Sequence, residues 1–379
     1  MAVRHGYGKI AGTDALVFAY DTGDTRNSYR GEPTTNLALF DIASAGFSTD
    51  TPSNLTQTSN NTEFTYKGRP SRKMVIGSGY WNCYIYNYNT SVSSTVFAAS
   101  FKVKAADGSN PSTFIGGGYI YGTAGSFFPS PSFTAIDDGW YICYIQYSGT
   151  AMTLTSITGV NGSGGPKTFY ITDYQVEAKT HFTPFTPGNT TRSSTQGLLD
   201  LTGNYSIDLA NVSFDSNAQI YFDGSNDVID IPNSTTLFSG TQDLTVEAAY
   251  NMEGQGGGAI FGNYGPSYTT DHLWFSGMYG IWLNSGVYAP GYPLANGRYH
   301  MVGTRESGVM KLYLNGVLVN SGTRAASIAT DIDYRIGADV NGAAEDFTGD
   351  IYVVKAYSRA LSAAEVLNNY NFYKSRFNL

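Results

Sequence analysis

The stretch that most constrains the fold is residues 334–367, which read YRIGADVNGAAEDFTGDIYVVKAYSRALSAAEVL. Its centre, IYVVKAY, is apolar on both faces of a predicted strand, because alternate side chains point to opposite sides. That alternation places Ile351, Val353 and Lys355 on one face and Tyr352, Val354 and Ala356 on the other. A helix is predicted directly afterwards, with Ser362 as its N-cap, Glu365 completing a capping box, and Leu361 packing on Val366. We expect this helix to be short, since the asparagines that follow are poor helix formers.

Composition favours an all-β chain. Charged residues make up 14% of the 379 residues, against roughly 25% in an average globular protein. Tyrosine (30 residues) and glycine (44 residues) are abundant, and such a mixture suits short strands joined by tight turns. The length predicts two domains, each large enough for its own core.

Three motifs in the closing stretch resemble a known family. F-x-G-x-I begins at Phe347, a V-x-x-Y strand ends at Tyr357, and R-A-L-S-x-x-E begins at Arg359. Together they resemble the closing element of LamG-like (concanavalin A-like) jelly-roll domains, which include many phage virion proteins. The resemblance implies a jelly-roll sandwich for the C-terminal half.

The rest of residues 190–370 fits the same resemblance. The segment AQIYFDGSNDVIDIP at residues 218–232 is similar to the family's F-D-G-x-x-D-Y-V segment. Tyr299 opens a Y-H-M-V strand that precedes L-Y-L-N-G, in the order found in relatives. Asn315 and Gly316 favour positive φ at both positions, so we predict a type I′ hairpin there.

Residues 33–190 resemble carbohydrate-binding-module-like jelly rolls of phage and bacterial surface proteins. The resemblance rests on an F-x-V-K strand, a D-G-W turn, and a D-x-Q-x-E run followed by T-P-F. The matching residues of the last motif are Asp173, Gln175, Glu177 and Thr183 to Phe185. Residues 186–196 are interpreted as a linker, since they are rich in Thr and Ser with one Pro-Gly pair.

We therefore predict two antiparallel jelly-roll sandwiches, the second concanavalin A/LamG-like with a short C-terminal helix. In relatives a D-L-[ST]-G-N segment follows soon after the first strand, but here DLTGN stands at residues 200–204. The predicted organisation is an N-terminal arm at 1–32, a carbohydrate-binding-module-like jelly roll at 33–190, and a LamG-like jelly roll at 191–379. The arm would supply the first strand of the C-terminal sandwich, at residues 16–20, with the other jelly roll as an insert. In the alternative, residues 1–32 form a separate arm.

Charge and cysteine content argue against several classes. The net charge is −8 without a Lys or Arg cluster in the sequence, which argues against binding to nucleic acid. The N-terminus lacks the pattern of a signal peptide, and no apolar run is long enough for a membrane span. The two cysteines, Cys83 and Cys143, are expected to be buried free thiols, with a disulfide between them as the alternative.

Catalysis is not expected. Retaining glycoside hydrolases need two carboxyl groups roughly 5 Å apart, and hydrolases of the concanavalin A-like fold typically carry an E-x-D-x-x-E run, which is missing here. Glu247 is the only glutamate of its predicted strand. Asp227 and Asp230 should face opposite sides of theirs. The four histidines lack zinc-like spacing, and we expect His300 to be a hydrogen-bonded core residue.

Calcium is the metal to consider, because many LamG relatives bind it at a loop edge. Hard cations need several converging oxygen ligands. The candidates lie in loops of the second jelly roll: Asp223, Asp227, Asp339, Glu345 and Asp346. The alternative, which we favour, is that these are solvated turn acids.

Residues 263–292 are the candidate contact region, because they concentrate aromatic residues among glycines and prolines. Aromatic faces flanked by polar groups suit sugar rings and also suit protein interfaces. The candidate contact residues are Tyr264, Tyr268, His272, Tyr279, Tyr288 and Tyr292. Trp274 and Trp282 are expected to lie in strands as core residues. We favour an interface between subunits over a glycan site.

The sequence thus predicts a non-enzymatic bacteriophage virion structural protein on the particle surface, as a fibre, adhesin or capsid decoration. Expected partners are other virion proteins, further copies in a homo-oligomer, and a host-surface glycan, with no nucleic acid and no membrane insertion. No cofactor is expected apart from the calcium just discussed. The alternatives are a secreted or surface lectin and, more weakly, a glycoside hydrolase.

Overall fold

The computed structural model describes residues 11–38, 49–50, 55–79, 81–85, 92–162, 166–188, 190–254, 258–264, 272–283, 285–288, 293–323, 326–338 and 346–379. These residues are mainly β-strand, so the predicted all-β class is confirmed. The chain forms two compact units. The discontinuous unit comprises Met1–Pro33, Ser193–Asp215 and Gln219–Leu379, and the internal unit comprises Thr34–Arg192 with Ser216–Ala218.

The internal unit is built on one extended sheet. After β1 (Leu16–Asp21) of the discontinuous unit, its strands are β2 (Thr34–Thr35), β3 (Thr49–Asp50), β4 (Leu55–Tyr66), β5 (Arg69–Ile76), β6 (Trp81–Ile85), β7 (Ser93–Ala105), β8 (Ile115–Gly122), β9 (Gly125–Phe127), β10 (Ser132–Ala135), β11 (Tyr141–Gly162), β12 (Lys167–Glu177) and β13 (Thr191–Arg192). Within the described residues the order is β3-β6-β11-β7-β12-β5-β4, with β8 and β10 also paired to β11.

One face of this sheet forms the core of the internal unit. Phe97, Phe101 and Val103 of β7 are buried there together with Cys143. Cys143 is a free thiol, and burial raises its pKa well above the usual value. The side chain of Cys83 lies outside the described residues.

The D-x-Q-x-E motif of β12 serves the structure of the internal unit. Glu177 accepts hydrogen bonds from the backbone and hydroxyl of Thr183, at 2.9 and 2.7 Å. Gln175 accepts a hydrogen bond from the Thr186 backbone at 2.5 Å. These contacts tie the segment that follows β12 to the end of β12.

The segment interpreted as a linker is ordered where it is described. Thr191–Arg192 forms β13, which pairs antiparallel with β2. Arg192 is buried, and its guanidinium donates to the Thr186 hydroxyl at 2.9 Å and to the Pro184 carbonyl at 3.0 Å. The linker interpretation is wrong for these residues, because side-chain hydrogen bonds hold a segment that composition alone marks as flexible.

The discontinuous unit is a sandwich of two sheets. Its further elements are α1 (Ser194–Gly197), β14 (Asp208–Asn211), β15 (Ser213–Phe214), β16 (Ile220–Asp223), β17 (Val228–Asp230), β18 (Leu244–Met252), β19 (Ala259–Gly262), β20 (Trp274–Ser276), β21 (Gly280–Leu283), β22 (Ser285–Tyr288), β23 (Gly297–Glu306), β24 (Val309–Leu314), β25 (Val317–Thr323), β26 (Arg335–Ile336), β27 (Thr348–Tyr357) and α2 (Ala363–Phe377). None of the described helices is long and apolar enough to cross a membrane.

The two sheets of the sandwich enclose its core. Among the described residues, one sheet has eight strands, ordered β15-β16-β27-β18-β23-β24-β25 with β1 paired to β27, and the other has seven, ordered β14-β17-β26-β19-β20-β21-β22. Val246, Ala248 and Tyr250 of β18 meet Phe261, Phe275 and Ile281 of the seven-stranded sheet in one apolar cluster. β1 pairs antiparallel with β27, Leu16 opposite Tyr357 and Asp21 opposite Val353.

Local predictions for the sandwich are confirmed at its turns and helix. Asn315 and Gly316 have φ values of 49° and 80°, as a type I′ turn between β24 and β25 requires. Ser362 caps α2 and forms a capping box with Glu365. Leu361 and Val366 are buried in one cluster.

The predicted alternation of β27 fails at one point. The β18–β27 ladder shifts register after Ala249 opposite Val353, and Tyr250 lies opposite Ile351, so Tyr352 is the extra residue of a β-bulge. Ile351 therefore shares the core with Val354 and Ala356. Val353 instead packs with α2 residues on the other face.

Candidate functional site

The described strands of the aromatic region, β20, β21 and β22, lie at one end of the seven-stranded sheet. Tyr264, His272 and Tyr279 are described, and Tyr288 lies in β22 with only its backbone described. Tyr268 and Tyr292 lie outside the described residues, so their assignment as contact residues stays a prediction.

The two tryptophans lie in strands but not in the core. Trp274 of β20 and Trp282 of β21 are direct cross-strand partners, and so are Phe275 and Ile281. Phe275 and Ile281 are fully buried in the core, and successive side chains of a strand alternate between faces. Trp274 and Trp282 therefore face outward and are half-buried, which corrects the prediction that they are core residues.

Residues that pair with Trp274 and Trp282 in the neighbouring strands face outward as well. Asp230 of β17 lies opposite Arg335 of β26, and Arg335 lies opposite Gly262 of β19. Gly262 lies opposite Trp274, and Trp282 lies opposite Gly286 of β22. We call this set the outer row: Asp230, Arg335, Gly262, Trp274, Trp282 and Gly286. Since neighbouring strands are about 4.8 Å apart, the outer row is a strip across most of the sheet.

Glycine next to Trp274 keeps part of the strip free of side chains. A Cβ atom on Gly262 would lie 2.3 Å from the Leu273 carbonyl oxygen, so no other residue fits without moving the backbone. The sheet surface between Arg335 and Trp274 therefore consists of main chain, and a planar ligand lying against Trp274 meets no side chain at Gly262.

Tyrosines pack against Trp274. The ring centroids of Tyr264 and Trp274 are 6.2 Å apart, and those of Trp274 and Tyr279 are 5.9 Å apart, both in tilted arrangements. The indole Nε1 of Trp274 is buried and has no hydrogen-bond partner in the described part of the chain. An unsatisfied buried donor costs about 1–3 kcal/mol, so stability alone does not favour tryptophan at this position.

The outer row also contains an ion pair. Arg335 Nε lies 2.8 Å from Asp230 Oδ1, and both side chains are about one-third exposed, at 33% and 31%. A guanidinium group has five N–H donors in all. Arg335 offers donors two strands from Trp274, and Asp230 offers acceptors three strands from it.

His272 is buried and bonds to Asp331, so its side chain is not part of the outer row. Its side chain is only 6% exposed, and Nε2 lies 2.9 Å from Asp331 Oδ1. That hydrogen bond lowers the pKa of Asp331 from its usual value. Asn263 adds a second tie, since its amide donates to the Ala329 carbonyl and accepts from the Leu273 backbone.

The described calcium candidates accept backbone hydrogen bonds, and calcium binding stays a prediction. Asp227 accepts the backbone N–H groups of Ser213 and Asp223, at 2.8 and 2.6 Å, and Asp223 accepts that of Ser225 at 2.8 Å. Asp346 Oδ1 is buried without a hydrogen-bond partner, but three or more potential ligands do not cluster anywhere in the described residues. Asp339 and Glu345 lie outside them.

Glu247 is part of a buried charged cluster beneath α2. It accepts hydrogen bonds from His300 Nε2 at 2.8 Å, Tyr357 at 2.6 Å and Asn369 at 3.2 Å. Burial acts to raise its pKa, but the His300 hydrogen bond and the charge of Lys355 lower it to about 2. Glu247 and His300 are fully buried, so this carboxylate cannot reach a substrate, and the prediction that His300 is a hydrogen-bonded core residue is confirmed.

Sequence reasoning missed Arg335 and Asp230 as site residues. Each precedes or follows a buried isoleucine, Arg335 before Ile336 and Asp230 after Ile229. Such alternation of a charged and an apolar residue indicates a half-buried strand. The pattern was visible, but the pairing of two strands so distant in sequence was not.

Comparison with solved structures finds matches at low similarity. Domain 4 of AbnA, an extracellular GH43 arabinanase from Geobacillus stearothermophilus solved with arabinotriose, is 19% identical, with 47% of this chain and 93% of that chain covered and a TM-score of 0.34. The receptor binding domain of botulinum neurotoxin D is 17% identical, with 48% of this chain covered and a TM-score of 0.35. This chain spans 51% of that domain, about half its length.

A third similar structure is the CBM40 domain of the Ruminococcus gnavus IT-sialidase. It is 17% identical, with 34% of this chain and 83% of that chain covered and a TM-score of 0.29. Comparison with curated proteins finds no match. The family comparison does find one: residues 223–367, which include the whole outer row, match the concanavalin A-like lectin/glucanases superfamily.

Proposed function

We propose that the discontinuous unit is a glycan-binding domain without catalytic activity, and that the outer row is its binding site. The observation that carries the proposal is the outward-facing pair Trp274 and Trp282, in line with the Arg335–Asp230 ion pair. Tryptophan combines a large apolar face with a polar N–H group. Each tryptophan is only half-buried, so part of each indole is accessible to a ligand.

The chemistry of the strip suits a sugar chain. The apolar C–H faces of sugar rings pack on indole rings, while ring hydroxyls need both donors and acceptors nearby. The donors are on Arg335 and the acceptors on Asp230, and Gly262 leaves room between these polar groups and Trp274. The glycan would be bound and released unchanged, because Glu247 is buried away from the strip.

The test is to replace both tryptophans by alanine and measure binding to neutral oligosaccharides. An array would identify ligands, and calorimetry would give their Kd. Loss of a central aromatic contact typically costs 2 kcal/mol or more, so we expect affinity to fall by at least roughly tenfold. The matched control is Tyr221→Ala, since Tyr221 is another half-buried aromatic residue of the same unit, bonded to Glu253 at 3.3 Å.

Two results would count against this site. Unchanged affinity in the double tryptophan variant would place glycan binding elsewhere. A change of oligomeric state in sedimentation, with no glycan bound by the unaltered protein, would favour the subunit interface that the sequence suggested. Release of shorter sugars during incubation would contradict the absence of catalysis.

We further propose, as a finer assignment, that the protein is displayed on a tailed-phage particle together with other virion proteins, as a homo-oligomer. The support is the resemblance of F-x-G-x-I and R-A-L-S-x-x-E in the closing stretch to virion proteins. Mass spectrometry of purified particles is the test. A chain absent from particles but bound to cell-surface glycans would instead be a bacterial lectin.

A further inference from the structure

The outer face of the internal unit carries a cluster of cations interleaved with aromatic rings. Phe169 and Ile171 of β12 are in the core of that unit, so Tyr170 between them faces the other way. Lys73 of β5 and Lys104 of β7 lie directly opposite Tyr170. Lys102, two residues before Lys104, faces the same side.

Rings on this face hold the cations in place. Lys102 Nζ lies 4.7 Å from the Tyr66 ring centroid, and Lys104 Nζ lies 4.7 Å from that of Phe64. Arg69 lies 5.2 Å from the Phe185 centroid. Cation–π contacts of this kind occupy the faces of the rings. The rings are therefore used to position charge, and the cluster differs in chemistry from the outer row, which contains two tryptophans and one ion pair.

Cations outnumber the carboxylates that pair with them on this face. Its five cations are Lys67, Arg69, Lys73, Lys102 and Lys104. The carboxylates paired with them are Asp173, which binds both Arg69 and Lys102, and Glu63, which lies 2.6 Å from Lys73. Lys104 instead donates to the Asp138 backbone carbonyl at 2.5 Å.

Repulsion among the cations is visible at Lys102. Its side chain is only 14% exposed. Burial lowers its pKa, and the charges of Arg69 and Lys67 lower it further, while Asp173 acts in the opposite direction. A chain with net charge −8 thus places five cations on one face of this sheet.

Two residues with positive φ shape the backbone at this face. Lys67, at the tip of the β4–β5 hairpin, has φ 47°, and Asp173 has φ 53°. Few residues other than glycine adopt such values, and asparagine and aspartate do so more readily than lysine. The ladder of β12 shifts register between Thr172 and Gln175, and this irregularity turns the Asp173 carboxylate towards Arg69 and Lys102. At Lys67 the value is that of a type I′ hairpin turn with Gly68, whose φ is 79°.

We propose that this cationic face, defined by Lys67, Arg69, Lys73, Lys102 and Lys104, binds an acidic glycan through its carboxylate or sulfate groups. Surplus cations fixed at several points along a sheet face match anionic groups repeated along a polymer. Ring faces occupied by cations leave little surface for stacking nucleic-acid bases, which single-strand binding requires. The site lies in the internal unit and does not depend on the outer row.

The experiment compares two double variants with equal net charge. Lys67→Asn with Lys104→Gln removes the two cations that form no ion pair in the described part of the chain, and asparagine tolerates the φ of Lys67. Lys167→Gln with Lys179→Gln is the control, since Lys167 is paired with Asp107 at 2.6 Å and neither residue belongs to the cationic face. Binding of the whole chain to alginate and to heparin would be measured by calorimetry, with dextran as the neutral polymer.

We expect the unaltered chain and the control to bind at least one acidic polymer and not dextran. The cationic-face variant should bind that polymer at least roughly tenfold more weakly, with an unchanged or higher Tm. Affinity should fall roughly tenfold or more as salt rises from about 0.05 to about 0.2 M, because bound cations release counterions. Uronate and sulfate ligands are distinguished by which polymer binds.

Three outcomes would overturn the proposal. The first is no binding to either acidic polymer. The second is equal weakening in the cationic-face variant and the control, which would indicate only a general charge effect. The third is tighter binding to a single-stranded oligonucleotide than to either polysaccharide. Replacing Trp274 and Trp282 should leave this binding unchanged, so the two sites are tested separately.

Discussion

The two sheets of the sandwich differ in what covers their outer faces. Helix α2 packs on the eight-stranded sheet, with Tyr373 against Val353 and Val366 against Tyr357. No described helix covers the outer row of the seven-stranded sheet, where Trp274 and Trp282 are half-buried. Both outer faces carry charged and aromatic residues. Beneath the helix these residues are buried and contribute to stability, whereas on the open face they are accessible to a ligand.

Charges on the two faces have different environments. Under α2, Glu247 and His300 are fully buried, and Arg376 reaches from the helix to Asp21 with a 2.8 Å hydrogen bond. On the open face, Arg335 and Asp230 are each about one-third exposed. Buried ion pairs become costly when one partner is removed, whereas exposed pairs contribute little. The comparison therefore predicts opposite consequences for similar substitutions.

The largest effect is expected for Glu247→Ala. Removing this carboxylate leaves Lys355 and His300 buried without their anionic partner, which costs about 3–5 kcal/mol in the free energy of unfolding. Urea denaturation monitored by tryptophan fluorescence would measure the loss. A loss below about 1 kcal/mol would show that the buried cluster is not what holds α2 to the sheet.

Acid should weaken the covered face through the same residue. The pKa of Glu247 is about 2 in the folded protein, below about 4.3 for an unfolded glutamate. Its contribution to stability is therefore complete above about pH 4.3 and is lost as pH falls through about 2. Between these two pH values the free energy of unfolding should change less with pH in Glu247→Gln, because glutamine cannot titrate. An identical pH dependence in both proteins would assign acid unfolding to other groups.

The smallest effect on stability is expected for Arg335→Gln on the open face. Since Arg335 and Asp230 are about one-third exposed, the free energy of unfolding should change by less than about 1 kcal/mol. Neutral glycan binding should nevertheless weaken. The matched variant is Arg376→Gln, whose partner Asp21 is only 3% exposed, and it should lose more stability without affecting glycan binding. Equal stability losses in the two variants would show that charged residues on the two faces contribute equally to stability.

Local features were predictable from the sequence because they depend on neighbours in the chain. The capping box of Ser362 and Glu365 and the positive φ of Asn315 involve residues a few positions apart. The β-bulge at Tyr352 was not predictable, because it is defined by the partner strand. Asn369, a poor helix former, lies within α2 and bonds Glu247, so tertiary contacts outweigh its propensity.

The sequence indicated an aromatic region but not which of its side chains face outward. The sequence indicated residues 263–292 by their aromatic content, but large aromatics in strands are usually buried, so Trp274 and Trp282 were assigned to the core. Only the position of the second sheet shows which face of β20 is inside. The Arg335–Asp230 pair depends on the register of distant strands, which no local pattern contains.

Pairing of β1 with β27 has a consequence for synthesis on the ribosome. The first strand of the sandwich emerges long before its partner, and the residues of the internal unit are made between them. β2 and β13 join the two ends of that unit, so once it has folded, the chain that remains to be closed is effectively much shorter. Folding should thus begin with the internal unit, and the sandwich should be completed only after β27 leaves the exit tunnel.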